Sequence, residues 1–159
     1  MEIYSLILVI VGVYFFVFSL LNILKIKKDT VVSMPKEQPF VSVLIPARNE
    51  ENNIKTCIES FLNQSYENYE ILVLDDNSTD KTYQIVKNLA KQNPGKIKLY
   101  SGKPLPTNWR GKSFAMQQLL NYAKGEYYLF TDADTIHTKD SISMMIANIL
   151  KHKADLVSG

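Results

Sequence analysis

Cysteine is almost missing from this chain: Cys57 is the sole thiol in 159 residues, which excludes an internal disulfide and any multi-cysteine zinc site. It falls on the apolar stripe of a helical pattern and is expected to be a small buried thiol. Histidine is nearly as scarce. Neither His137 nor His152 has a second histidine or cysteine at ligand spacing, although His137 lies close to an acidic motif. A dominant charge is lacking too, with 18 lysines and arginines against 16 aspartates and glutamates. Much of the small excess sits at Lys25, Lys27 and Lys28, so the chain shows no wide basic face of the kind a nucleic acid needs. Repeats and low-complexity tracts are also absent.

The hydrophobic content of 46% is unevenly spread. Residues Ile3 to Leu24 form an uncharged apolar run interrupted only by Ser5, Gly12, Ser19 and Asn22. As a helix it would cover roughly 33 Å, enough for a hydrocarbon core of about 30 Å. A cleaved leader would carry basic residues before the run and a small-residue cleavage site after it. Here Glu2 precedes and Lys25-Ile26-Lys27-Lys28 follows, the pattern of an uncleaved anchor with its C-terminal side in the cytoplasm. The expected organisation is a transmembrane anchor with a basic flank over 1–28, a linker over 29–39 containing Ser33, Pro35 and Pro39, and a domain over 40–159. The expected location is the cell membrane, single-pass, with the domain cytoplasmic.

From Phe40 onward short β-rich runs alternate with helical periodicity, which predicts an α/β domain with a mostly parallel sheet and flanking crossover helices. Strands are predicted at Val41–Ile45, Glu70–Leu74, Ile97–Tyr100 and Glu126–Thr131, with a last one beginning at Ala154–Ser158. Apolar residues at Ile54, Cys57, Ile58, Phe61 and Leu62 mark a helix over Glu51–Asn63. Further helices are predicted around Ile85–Ala90, over Lys112–Ala123 and over Ser141–Lys151, and Gly102 to Gly111 is an irregular loop rich in glycine and proline.

In open sheets of this kind ligands bind beyond the carboxyl ends of the strands, and the polar clusters fall there: Pro46-Ala47-Arg48-Asn49-Glu50, Asp75-Asp76 and Asp132-Ala133-Asp134. Two carboxylates one residue apart at a strand end can both turn to one Mg²⁺, which favours one or two carboxylates together with phosphate oxygens and water. By itself such a pair is a common acidic turn. Asp75 beside the second strand suits a nucleotide base, whose N–H groups a carboxylate accepts, whereas Asp76 is expected to cap the following helix. Arg48 and Lys112 are the cations available to a diphosphate. Trp109 is expected to pack.

These three clusters, in this order and in these elements, resemble the family-2 glycosyltransferases of GT-A (Rossmann-like) fold. The segments concerned are Val41 to Glu50, Gln64 to Asp80 and Gly125 to Asp134, and the similarity extends over about 40–159. The resemblance implies that Pro46, Arg48 and Glu50 line a nucleoside pocket, that Asp75 contacts the base, and that Lys112 faces base or diphosphate. It implies further that Asp132 and Asp134 hold the ribose-diphosphate and Mg²⁺ or Mn²⁺. Asn77 stands where the family more often has glycine, and asparagine tolerates the positive φ that the turn needs. The loop Pro104 to Lys112 is similar to that of membrane enzymes that glycosylate carotenoid or other lipid acceptors.

The implied function is transfer of a sugar from a nucleotide-diphosphate sugar, UDP-sugar favoured, to a lipid or polysaccharide acceptor at the cytoplasmic membrane face. In the family the catalytic carboxylate base and the acceptor region follow the strand begun at Ala154. The domain is therefore expected to be incomplete at its C-terminus, with its base beyond residue 159. Two alternatives remain open from the residues. Leu129-Phe130-Thr131-Asp132-Ala133-Asp134 also resembles the nucleophile motif of haloacid-dehalogenase phosphatases, and a non-catalytic, membrane-tethered nucleotide-binding module would carry the same clusters.

Overall fold

The computed structural model describes residues 2–29 and 38–158. Among them the order is α1 (Glu2–Asp29), β1 (Val41–Ala47), α2 (Ile54–Leu62), β2 (Tyr69–Asp75), α3 (Thr82–Gln92), β3 (Ile97–Ser101), α4 (Gly111–Leu120), β4 (Tyr127–Phe130) and α5 (Ser141–His152). The predicted linker over 29–39 lies mostly outside the described residues. Helix α1 contains the apolar run Ile3–Leu24, long and apolar enough to cross a membrane.

The four strands form one parallel sheet in the order β3-β2-β1-β4. Parallel strands are buried on both faces, and β1 and β2 show it: both read as apolar runs, with alternate residues supplying opposite sides of the sheet. Val41, Val43, Ile45, Ile71 and Val73 pack with α2, α3 and α5 through Ile54, Ile58, Phe61, Val86, Ile142 and Ile146. On the other face Leu44, Leu72 and Leu74 meet Ala115 and Leu119 of α4. Each fully buried leucine or isoleucine here contributes about 1.5–3 kcal/mol.

A buried polar cluster seats β4 at the amino end of the sheet. Glu70 accepts hydrogen bonds from the Ser42 hydroxyl (2.8 Å), the Lys124 amide (3.0 Å) and the Lys98 ammonium (2.7 Å). The Gly125 amide donates to Ser42 Oγ at 2.8 Å. The tie is close: a Cβ on Gly125 would lie 2.4 Å from the Ser42 backbone nitrogen. Strand β4 thereby pairs beside β1 instead of extending the run beyond β3.

The strand expected over Ala154–Ser158 does not form. Those residues pair with no strand, and Leu156 is 82% exposed. A ladder needs a neighbour offering free backbone groups at the right place, and after α5 the chain comes alongside none among the described residues.

Candidate functional site

The strand order turns at β1. Going from β1 through β2 to β3 the chain moves one way across the sheet, and β4 then lies on β1's other side. A crevice opens at the carboxyl ends beside such a switch. It is a cleft of about 320 Å³, lined by Pro46 and Ala47 at the end of β1, Arg48 and Glu50 after it, Asp76 after β2, Gly111, Lys112 and Ala115 of α4, and Asp132, Ala133 and Asp134 after β4.

Local hydrogen bonds show why the turns after β1 and β2 take their shape. Asn49 and Asn77 both adopt positive φ, 56° and 57°, the left-handed conformation asparagine accepts most readily among non-glycine residues. The Asn49 amide donates to Ser78 Oγ (3.0 Å), and Asn49 Oδ1 accepts from the Thr79 amide (2.8 Å). The Glu50 amide donates to Thr82 Oγ1 (2.8 Å), while Glu51 and Asp80 bond reciprocally to the backbone of the opposite turn at 3.0 Å. Asp80 Oδ1 also accepts from the Thr82 amide at 2.9 Å. The polar residues of both turns therefore largely satisfy one another, which leaves Arg48, Glu50 and Asp76 to face the cleft.

Electrostatically the cleft pairs unlike charges from distant parts of the chain. Lys112 Nζ lies 2.6 Å from Asp132 Oδ1, and Arg48 lies 3.9 Å from Asp76 Oδ2. All four belong to different elements or turns. Lys112, Arg48 and Asp132 are largely exposed, free to exchange these partners for a ligand's.

The two aspartates at the end of β2, Asp75 its last residue and Asp76 the next, divide their roles differently from expectation. Asp76, expected only to cap a helix, presents its side chain to the cleft. Asp75 is 6% exposed; its Oδ2 accepts from the Ser78 amide at 3.3 Å, and its buried Oδ1 has no hydrogen-bond partner among the described residues. A buried acceptor without a donor is costly, and a base N–H is a donor of the right kind.

For a divalent cation the fit is favourable. Asp132 and Asp134 both line the cleft, and the Lys112 ammonium already rests on Asp132. Two carboxylates with room for phosphate oxygens suit Mg²⁺ or Mn²⁺. Among the described residues no cluster of three or more histidine, cysteine, aspartate or glutamate side chains offers a closed metal cage.

Cys57 and His137 stand behind this site and are held by the scaffold. Burial, and then the nearby carboxylates of Asp134, Asp132 and Glu50, push the Cys57 thiol up to about 12. His137 shares a 2.8 Å hydrogen bond with Thr131 Oγ1 and packs its ring 4.3 Å from that of Phe61; burial lowers its pKa. Trp109 only half meets the expectation that it packs: its ring is 5.5 Å from that of Phe114, yet the residue is 43% exposed.

A parallel α/β sheet with carboxylates and cations gathered beyond its central strand ends defines a nucleotide-binding domain of the GT-A class. The chain belongs to glycosyl transferase family 2, whose model matches residues 42–159. Among similar proteins is the dolichyl N-acetyl-alpha-D-glucosaminyl phosphate 3-beta-D-2,3-diacetamido-2,3-dideoxy-beta-D-glucuronosyltransferase of Methanococcus voltae, 34% identical over 73% of this chain and 36% of that protein. Another is the UDP-Glc:alpha-D-GlcNAc-diphosphoundecaprenol beta-1,3-glucosyltransferase WfgD of Escherichia coli, 33% identical over 76% of this chain and 45% of that one. The chain thus spans less than half the length of these relatives. In structure it is similar to S. aureus TarS 1-349, with a TM-score of 0.62 at 32% identity over 73% of this chain and 34% of that one. The mannosyltransferase PcManGT of Pyrobaculum calidifontis, solved with GDP-Man and Mn²⁺, gives a TM-score of 0.65 at 28% identity over 82% of this chain and 39% of that one.

Proposed function

We propose that residues 40–159 form the donor-binding portion of a glycosyltransferase that takes a nucleotide-diphosphate sugar, UDP-sugar favoured, and passes the sugar to a lipid or polysaccharide acceptor. The observation that carries this reading is the convergence of Arg48, Asp76, Lys112, Asp132 and Asp134 on one cleft, with Asp75 next to the lining residue Asp76. In this reading Pro46, Arg48 and Glu50 line the nucleoside pocket and Asp75 receives the base N–H. Arg48 and Lys112 approach the diphosphate from opposite sides. Asp132 and Asp134 hold Mg²⁺ or Mn²⁺, which when bound neutralises the charge of the diphosphate leaving group. Transfer also requires a general base to take the acceptor proton, a role this reading gives to none of the cleft residues.

The E. coli and M. voltae relatives are named for sugar acceptors carried on undecaprenol diphosphate and dolichyl phosphate, which supports a lipid-linked acceptor here. Helix α1, with Lys25, Lys27 and Lys28 behind its apolar run, supports a single-pass anchor that leaves the domain on the cytoplasmic face. The comparisons favour the transferase over both the phosphatase and the non-catalytic module.

Isothermal titration of the full chain with UDP and Mn²⁺ tests the reading. Expected is binding that Mn²⁺ strengthens and Asp134→Ala abolishes. Absence of UDP and GDP binding by the folded wild-type protein, with or without Mn²⁺, would sink it.

A further inference from the structure

The loop between β3 and α4 is rooted firmly at the cleft and apolar at its tip. At its base the Gly102 amide donates to the Asp75 carbonyl at 2.8 Å, and the Lys103 amide to Gln118 Oε1 at 2.8 Å. A Cβ on Gly102 would lie 3.0 Å from Asp76 Oδ1, so the root sits directly on the cleft wall. Further along, the Trp109 amide closes a turn on the Pro106 carbonyl at 3.1 Å. Leu105, just before this turn, and Trp109, which closes it, are 54% and 43% exposed. Lys103 and Arg110, both exposed, flank them.

The segment that carries this tip has charge of one sign. Between Asp80 and Glu126 the sequence contains no aspartate or glutamate, while lysines and an arginine recur throughout. The near-neutral total of the chain conceals this, because the acidic residues are concentrated on either side of the segment. An exposed tryptophan and leucine bracketed by cations, on a loop without acids, is the composition that settles at the headgroup level of an anionic bilayer. The negative surface potential of such a bilayer draws basic side chains to it.

We propose that the loop 102–110 is a membrane-contact surface: Leu105 and Trp109 enter the headgroup region of an anionic bilayer while Lys103 and Arg110 engage its phosphates. The contact holds the mouth of the cleft, which Gly111 and Lys112 line, against the lipid surface. Chain length permits it. Strand β1 has 7 residues and runs roughly 23 Å from the linker to the cleft. The stretch 30–39 can reach roughly 35 Å when extended, so a helix anchored in the bilayer can still let the cleft end turn down to the membrane. The proposal deepens the lipid-acceptor reading given above, yet its test does not pass through nucleotide binding.

Trp109 is the sole tryptophan, so its fluorescence reports this loop alone. The full chain is reconstituted into vesicles of phosphatidylcholine and into vesicles of phosphatidylcholine with phosphatidylglycerol, each with and without lipid brominated near the headgroup. The expected result in the anionic vesicles is a blue-shifted emission, quenched by brominated lipid and shielded from aqueous acrylamide. High salt or the double change Lys103→Glu, Arg110→Glu returns the emission toward that in pure phosphatidylcholine, and Leu105→Ser weakens the quenching. These side chains lie outside the cleft, so the variants bind UDP like wild type, which also confirms that they fold. Emission that acrylamide quenches equally in both vesicle types, with no effect of brominated lipid, overturns the proposal. So does a blue shift produced by soluble polyphosphate without bromolipid quenching, which would assign the surface to a polyanion. Loss of UDP binding in wild type would remove the donor reading and leave the Trp109 result standing.

Discussion

Lys112 at the start of α4 and Asp132 after β4 meet across the cleft at 2.6 Å, so a lysine stands against one of the two carboxylates suited to a divalent cation. A divalent cation held by Asp132 as proposed would therefore compete with the lysine. With both side chains more than half exposed, the pair is worth no more than about 1 kcal/mol, or roughly fivefold in an equilibrium. Replacing Lys112 with methionine is expected to tighten Mn²⁺ binding to the nucleotide-free protein by up to that factor while weakening UDP binding. Free Mn²⁺ measured by paramagnetic resonance, alongside UDP calorimetry, checks both directions.

Asp75 and Asp76 are separable. Asp75→Asn loses the charge and leaves one oxygen for two positions, so it can accept from the Ser78 amide or from a base N–H but not from both; a hydrogen bond to a charged group contributes about 1.5–3 kcal/mol. UDP affinity is expected to fall roughly 10- to 100-fold, measured on protein whose melting curve shows it to be folded. If Asp76→Ala produces that loss and Asp75→Asn does not, the base contact belongs to Asp76.

Glu70 links acid stability to the seating of β4. Burial raises its pKa, but the hydrogen bonds from Lys98, Ser42 and the Lys124 amide outweigh burial and hold the carboxyl below the usual range. A depressed carboxylate stabilises the fold above its unfolded pKa of about 4.3 and ceases to do so as pH falls through the folded value. Glu70→Gln is expected to cost about 2 kcal/mol at pH 7, moderated because Lys98 can return to water. The gap between variant and wild type in urea denaturation should close below about pH 4.

Gly125→Ala would place a methyl group against the backbone of Ser42, Tyr127 and Phe40, none of which is a side chain that can swing away. A loss of at least about 2 kcal/mol is expected, or failure to fold. Thermal unfolding monitored by far-ultraviolet dichroism measures it.

Cys57 should be inert in the native protein. Its thiol, pushed up to about 12 by burial and by the cleft carboxylates, is protonated at neutral pH. A disulfide reagent is expected to leave it unmodified until denaturant is added. Rapid native labelling at pH 7 would contradict the packing of α2.

Much of the fold was legible because it depends on local pattern. The runs at Val41 and Glu70 have the continuous apolar character of strands covered on both faces, and Ile54, Cys57, Ile58 and Phe61 form a helical stripe, so strand and helix identity followed from periodicity. The strand expected at Ala154 failed for the complementary reason: propensity names a candidate, but only a neighbouring backbone makes it a strand. Helix starts moved as well. Asn52 and Asn53 remain in a turn because the residues from Asn49 to Glu51 bond to Ser78, Thr79, Asp80, Lys81 and Thr82, partners that local sequence does not display.

Taken alone, the sequence determined that the chain carries a bilayer-length apolar run, an α/β pattern, and acidic and basic clusters at strand ends, since each is a property of adjacent residues. Tertiary structure decided which clusters share a cleft. The order β3-β2-β1-β4 carries Asp132 and Asp134 to the side of Pro46 to Glu50, and α4 brings Lys112 within 2.6 Å of Asp132. It also decided that Asp76 faces the cleft while one oxygen of Asp75 is buried without a donor. Such relations depend on strand order and on which side of a turn a carboxylate falls, and residues up to 86 positions apart along the chain set them through packing and shared hydrogen bonds.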